Sequence, residues 1–379
     1  MMDLVFWISL ITLFYVYIGY PLVLKFLPKN NITTTELNNF PSITVCIPAF
    51  NEESVIEETI LNKLSQDYPK DRVQIIVISD ESEDETDAIV TRLTNEHDNI
   101  ELIRQVPRNG KTSGLNLAVG RITSELIIFS DANSIYEKNV FHEIAKTFTD
   151  ENVGYVTGKM VYVNEDGSMV GDGCSAYMKY ENNMRSLESS IGSVVGVDGG
   201  VDAIRTELYS ELNADQLPDF VQPLKVVEQG KRVVYQPTAI LKEESLSDNA
   251  SEFKMRVRVS LRALWALYDM RVLFNPAKFG LFSFQLFSHK LIRYLAFIPM
   301  AFALFANVAL IGQSPLYNLM MFGQVTFYGL AYIGHTQPQN NNKFVGLAHY
   351  FCLINLAAAI ATVKFMRGEK IVIWKPRQG

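Results

Sequence analysis

Residues 75–87 read IIVISDESEDETD, an apolar run that ends in Asp80, Glu81, Glu83, Asp84, Glu85 and Asp87. Packing has no use for such a cluster, and like charges this close repel. Either water solvates the acids at the start of a helix, or part of the cluster holds a ligand. Ser82 with Glu85 three residues on is a capping-box pattern, and carboxylates in a first turn favour its positive end. That assigns Glu83, Glu85 and Asp87 to a solvated helix start. Asp80 differs, because it closes the apolar strand itself.

The strand is one of a series. SITVCIPAF (42–50), VQIIVIS (73–79), IELIRQ (100–105) and ELIIFSD (125–131) are short and apolar. Between them EESVIEETILNKLSQ (52–66), TDAIVTRL (86–93) and SGLNLAVG (113–120) have helical spacing. Such alternation predicts an α/β fold, a mostly parallel sheet covered by helices on both faces. In these sheets ligands sit beyond the carboxyl ends of the strands. Two of those ends, VISD (77–80) and IFSD (128–131), finish in aspartate. From 150 to 245 the pattern is less regular, with the glycine-rich GVDGGVDAIR (196–205) and LPDFVQPL (217–224).

Apolar sequence is concentrated at the two ends. LVFWISLITLFYVYIGYPLVLKFL (4–27) runs about 24 residues, long enough to cross a bilayer. A cleaved signal peptide fits it poorly: the start is MMD, the run is too long, and no small-x-small site follows. Three more runs cover 291–312, 315–334 and 345–366. The predicted division is an N-terminal membrane helix (1–28), a polar linker (29–41), a cytoplasmic catalytic domain (42–245), amphipathic helices in the membrane interface (246–289), about three membrane helices (290–366) and a basic tail (367–379). Ordinary surface helices are the alternative for 246–289. Lys25 and Lys29 follow the first helix and Asp3 precedes it, so positive-inside bias puts residue 30 onward in the cytoplasm. Three complete later crossings would leave the C-terminus outside, whereas Arg367, Lys370, Lys375 and Arg377 favour the cytoplasm. PLYNLMMFGQVTFYGLAYIG (315–334), with Asn318, Gln324 and its glycines, is the candidate for a re-entrant segment.

A net charge of −7 argues against a nucleic-acid partner. Cys46, Cys174 and Cys352 are far apart and form no CxxC, so they read as reduced structural thiols.

Three further segments carry chemistry. In FSDANS (129–134), Asp131 and Asn133 can aim two hard oxygens the same way, suiting Mg²⁺ or Mn²⁺ held jointly with a diphosphate. An Asx-turn into the next helix is the plain alternative. NGKTSG (109–114) is no phosphate-binding P-loop, since Gln105 stands where the first glycine belongs. Lys111 can still meet phosphate as a single charge, or be a solvated surface lysine. Asp219 follows Pro218 at a helix start, where it serves as a cap or, in a cleft, as a general base. Asp80 can accept hydrogen bonds from a uracil imide or a ribose hydroxyl.

Taken in order, CIPAFNEE, SDESEDET, NGKTSGLN, FSDANS, GVDGGVDAIR and PDFVQPL resemble the family 2 glycosyltransferases of GT-A fold, in their membrane-anchored branch with cellulose, chitin and hyaluronan synthases. The resemblance implies that Pro48, Ala49, Asn51 and Glu52 line a nucleotide pocket. It implies that Asp80 contacts the uracil or ribose, that Lys111 lies near the nucleotide, and that Asp131 and Asn133 form the metal-binding D-x-D. Asp219 aligns with the catalytic base, and Asp202 and Arg205 fall on the acceptor-side loop. The sequence departs from the family at Ser79 (for the first of paired aspartates), Asn133 (for the second D-x-D acid) and Pro218 (for an acid before the base). The Q-x-x-R-W signature of processive enzymes is absent; Arg258, Arg262 and Trp265 stand at different spacing, on the acceptor side.

The expected activity is that of an inverting, metal-dependent hexosyltransferase. It takes a nucleotide sugar, UDP-linked, as donor and a glycan or lipid-linked acceptor at the cytoplasmic membrane, in polysaccharide biosynthesis. The alternatives are transfer of a single sugar to a lipid carrier, or a non-catalytic nucleotide-binding subunit with partners in an export complex.

Overall fold

The structure, a computed structural model, describes residues 1–163, 172–244, 249–337 and 342–371. Lys375 and Arg377 of the basic tail and the side chain of Cys174 lie outside the described residues. The chain divides into two compact units. A helical unit lies within Met1–Pro28, Val170–Leu187 and Ser245–Lys370, and an α/β unit within Lys29–Met169, Glu188–Glu244 and Ile371–Gly379.

In the helical unit the N-terminal apolar run forms one helix, Met2–Phe26, in which α1 (Met2–Phe14) and α2 (Tyr20–Phe26) are joined through a π turn. Phe6 is buried against Ala303, Ala306, Leu310 and Tyr317, the alanines allowing close approach. Met2–Phe26 and Lys343–Met366 are each long and apolar enough to cross a membrane. Leu281–Tyr294 and Phe297–Leu310 form a third candidate span, bent by 57°.

That bend corrects the sequence reading, which looked for the interruption in 315–334. Pro315–Thr336 is one continuous helix. Pro299 explains the shift: it has no N–H for the Leu295 carbonyl, so the ladder breaks there and a helix restarts at Phe297 with the proline in its first turn. The helix Asn249–Asp269 is spent within this unit: the Trp265 ring lies 4.6 Å from that of Phe365, and its indole N–H donates to Glu369 O. Polar groups are buried here too. Glu181 meets Arg293 at 2.5 Å, with His289 at 3.6 Å.

The α/β unit holds an eight-stranded sheet in the order β3-β2-β1-β4-β7-β6-β8-β5. Its strands are β1 (Ile43–Ala49), β2 (Val73–Ser79), β3 (Ile100–Arg104), β4 (Leu126–Phe129), β5 (Ile135–Tyr136), β6 (Val153–Val163), β7 (Asp202–Arg205) and β8 (Arg232–Glu244). Its helices are α3 (Ile56–Leu64), α4 (Thr86–Glu96), α5 (Gly110–Val119), α6 (Val140–Thr147), the end of α7 (Asp172–Ile191), and α8 (Pro218–Glu228). β3, β2, β1 and β4 run parallel, while β7 is antiparallel to both β4 and β6. β1 is buried at every position and β2 at all but one, as central strands covered on both faces require.

Register decides where the site falls. Ala49 pairs with Ser79, and Cys46 with Phe129, so β1, β2 and β4 end at one edge. The Asp80 N–H continues the ladder to Ala49 O at 2.9 Å, and the Ser130 N–H reaches Cys46 O at 3.1 Å. β2 and β3 lie on one side of β1 and β4 on the other, so the strand order reverses between β1 and β4, where a crevice opens at this edge.

Candidate active site

Asp80 emerges from β2 and turns under the segment that leads into α5. Its two oxygens accept from Gln105 Nε2, from Asn109 N at 2.9 Å, from Gly110 N at 3.1 Å to each oxygen, and from Arg108 Nε at 3.2 Å. Five contacts fill the lone pairs a carboxylate offers. Asp80 is 5% exposed. The side chain is thus committed to shaping the 105–110 turn, where Gly110 takes a φ of 85°.

The remaining acids are not arranged as the capping pattern suggested. α4 begins only at Thr86, and Asp84, not Ser82, meets its first N–H, at 3.0 Å. Ser82 instead bonds Ser79 Oγ and accepts from Asn51 N. The reason is a tighter turn than a helix start: Glu81 and Asn51 both have positive φ, 62° and 55°. Asp87 is paired with Arg104 and largely buried, not solvated. Asn51 Oδ1 accepts from Glu83 N at 2.9 Å, and Glu52 N donates to Thr86 Oγ1 at 2.8 Å, so CIPAFNEE is locked to this turn. The Arg108 guanidinium lies 3.4 Å from the centre of the Phe50 ring.

Lys111, in the first turn of α5, projects from the turn that Asp80 holds. Its ammonium lies 2.8 Å from Asp131 Oδ1, and 3.2 and 3.3 Å from the two oxygens of Asp219. Burial alone would depress its pKa, but the two carboxylates outweigh that and hold it above the ordinary lysine value. Asp131 follows β4, and Asp219 is the second residue of α8 after Pro218, which is suited to a first helical turn. Their side chains are 40% and 26% exposed, so solvent and solutes reach both. The three sequence-predicted aspartates are therefore linked through one short segment, 108–111.

Gly199 closes the site from the other side. Its φ is 94°, and a Cβ there would lie 3.1 Å from the Asp219 carboxylate, which only glycine avoids without strain. The approach to Asp219 is fixed by α5 as well: Thr112 Oγ1 donates to Gln216 O at 2.9 Å, and Asn116 Nδ2 to Leu212 O at 2.7 Å. Sequence reasoning missed Thr112 and Asn116; their i, i+4 spacing, which puts two polar side chains together on α5, was the available signal.

Asp131 and Asn133 suit a divalent ion held jointly with a ligand. Both are partly exposed, and the Asn133 side chain makes no hydrogen bond among the described residues. No three His, Cys, Asp or Glu side chains converge on one metal position among the described residues. Two protein oxygens would fill only part of an octahedral shell, leaving positions for ligand oxygens and water.

Asp202 begins β7, paired with Phe129 and Thr157, and is fully buried; neither oxygen has a well-formed hydrogen bond among the described residues, although the Thr157 hydroxyl lies close. Burial pushes its pKa up to about 8; the Thr157 hydroxyl eases this, Asp219 and Asp198 add to it, and Lys111 opposes it. Arg205 donates to the carbonyls of Val153, Phe148 and Asp150 and so ties the opposite end of β7 to the 148–153 turn. Arg258, Arg262 and Trp265 belong to the helical unit.

With a parallel sheet edge, a cation-bridged aspartate pair and a D-x-N turn in place, comparison with known proteins becomes informative. Residues 44–197 match the family described as glycosyl transferase family 2. Within that segment the chain is similar to family 2 glycosyltransferases. The match covers Asp80, Lys111, Asp131 and Asn133, while Asp202 and Asp219 lie beyond it. The chain is 36% identical over 132 residues to a probable glycosyltransferase, YdaM, of Bacillus subtilis, covering 34% of this chain and 31% of that protein. It is 24% identical over 217 residues to the poly-beta-1,6-N-acetyl-D-glucosamine synthase of Staphylococcus aureus, covering 56% of this chain and 51% of that protein. The chain thus spans 31% to 51% of the length of these relatives. A mannosyltransferase of Pyrobaculum calidifontis, solved with GDP-Man and Mn²⁺, superimposes with a TM-score of 0.74 over 97% of this chain and 100% of that one, at 20% identity. The chain therefore has the GT-A fold expected from the sequence, α/β with flanking helices.

Proposed function

We propose that the chain is an inverting glycosyltransferase that moves a sugar from a nucleotide-sugar donor, a UDP-sugar in the first instance, to a glycan or lipid-linked acceptor at a membrane. The observation that carries this reading is the Lys111 ammonium shared between Asp131 and Asp219 at the carboxyl edge of the sheet. Asp219 removes the proton of the acceptor hydroxyl as that oxygen attacks the anomeric carbon from the face opposite the departing diphosphate, which inverts the configuration. Lys111 sets a permanent positive charge beside the leaving group. Asp131 and Asn133 are the residues that would hold Mg²⁺ or Mn²⁺, which when bound neutralises charge at the diphosphate. Pro48, Ala49, Asn51 and Glu52 line the nucleotide side, and Asp80 acts on the nucleotide through the 105–110 turn.

Lys25 and Lys29, after the first apolar helix, support a cytoplasmic site with residues 42–245 as the catalytic domain. The apolar helices support an acceptor held at the bilayer. Trp265 packs on Phe365, with the Lys370 ammonium 4.9 Å from its ring, and transfer of a single sugar is the alternative to a growing chain.

The test is incubation of the purified full chain with radiolabelled UDP- and GDP-sugars, Mg²⁺ or Mn²⁺, and lipid or oligosaccharide acceptors. Transfer from a UDP-sugar is expected; transfer from GDP-sugars alone would replace the donor assignment, and consumption of no donor would refute the activity. Gel filtration of the product separates single addition from polymer.

A further inference from the structure

The segment Asp131–Tyr136, which carries Asp131 and Asn133, is gripped from behind by one face of α3. Thr59, Asn62 and Lys63 stand at i, i+3 and i+4 and so project together. Thr59 Oγ1 donates to Ala132 O at 2.6 Å. Asn62 exchanges two hydrogen bonds with the Tyr136 backbone, its Nδ2 to the carbonyl at 2.9 Å and its Oδ1 from the N–H at 2.8 Å. Between them, Lys63 Nζ donates to Ser134 O and, at 3.1 Å, to Asn62 Oδ1. The backbone of residues 132, 134 and 136 is thus held at three points, on both sides of Asn133 and directly after Asp131.

Lys63 is the unusual member. It is 1% exposed, and no carboxylate pairs with it among the described residues. Its ammonium rests 3.6 Å from the centre of the Tyr136 ring. Burial holds its pKa well below the ordinary lysine value. Burying an amine this completely without a counter-ion is costly, and an apolar side chain of similar volume would fill the space at less cost. What an apolar side chain cannot supply is a donor to Ser134 O. The Tyr136 hydroxyl extends the contact, donating to Gly200 O at 2.7 Å and lying 3.2 Å from Phe129 O, the residue that ends β4 two positions before Asp131.

We infer that Lys63, with Thr59 and Asn62, is a positioning residue that sets the Asp131–Asn133 turn for a divalent ion and the donor's diphosphate. The inference rests on the assignment of Asp131 and Asn133 proposed above. Its test is calorimetric titration of the purified full chain with UDP and GDP, each with and without Mn²⁺. In Lys63→Met the Mn²⁺-dependent gain in nucleotide affinity should fall about tenfold, with Mn²⁺-free binding unchanged. Thr59→Val, which deletes one hydroxyl and keeps the packing, should lose a smaller part of the same gain, and it carries the test if Lys63→Met does not fold. A wild-type Mn²⁺ gain in both variants overturns the role of the α3 face. Asp131→Ala separates the two levels: if it leaves the Mn²⁺ gain intact, the metal assignment itself fails and the inference with it. If it abolishes the gain while the α3 variants do not, only the inference fails.

Discussion

The Lys111 ammonium lies 2.8 Å from Asp131, and on its other side it reaches both oxygens of Asp219. One cation therefore ties the residue proposed to hold the metal to the residue proposed to act as base. Removing it should do more than lose a phosphate contact. In Lys111→Met the two carboxylates lose their shared counter-charge and face each other without it. At its optimum kcat/KM should fall by roughly 10²–10³, the scale of one preorganised donor lost from a transition state. A kcat/KM unchanged from wild type would detach Lys111 from the site.

Asp80 is expected to matter for folding as well as for binding. Asp80→Ala leaves the part-buried N–H of Asn109 and the buried N–H of Gly110 without an acceptor. That should cost about 2–4 kcal/mol of stability in the absence of any ligand, along with weaker UDP binding. Thermal melting of the nucleotide-free variant decides: an unchanged midpoint with lost UDP affinity would make Asp80 a direct ligand contact instead.

Asp202 gives a stability dependence of defined sign. Its carboxyl releases its proton near 3.8 in the unfolded chain and near 8 in the folded one. Between those values the folded state binds the extra proton, so its contribution to stability falls as pH rises, by up to about 1.4 kcal/mol per pH unit, and levels off above about 8. Asp202→Asn should remove that slope. Parallel denaturation curves for both proteins between pH 5 and 8, on the order of one point per unit, would show Asp202 ionised while folded.

How much of this could be read beforehand follows from what each residue does. Strands β1 to β4 were legible because a central parallel strand must be continuously apolar. Asp131, Lys111 and Asp219 stood out because charge at a strand end or helix start has few structural uses. Ser82 misled, since a capping box is local while the actual turn is set by positive φ at Asn51 and Glu81, across two segments. Lys63 and Asn62 were invisible, because on an amphipathic helix such residues read as solvated. Only tertiary packing turns that face inward. The bend before Phe297 was missed because apolarity, not the position of Pro299, guided the reading of the spans.

The central claim is that Asp219 is the base of a sugar transfer from a nucleotide donor, and single-turnover transfer by wild type and Asp219→Asn tests it most directly. The predicted result is a rate reduced by about 10²–10⁴ in the variant with UDP affinity nearly intact. A variant that transfers sugar at the wild-type rate would contradict it.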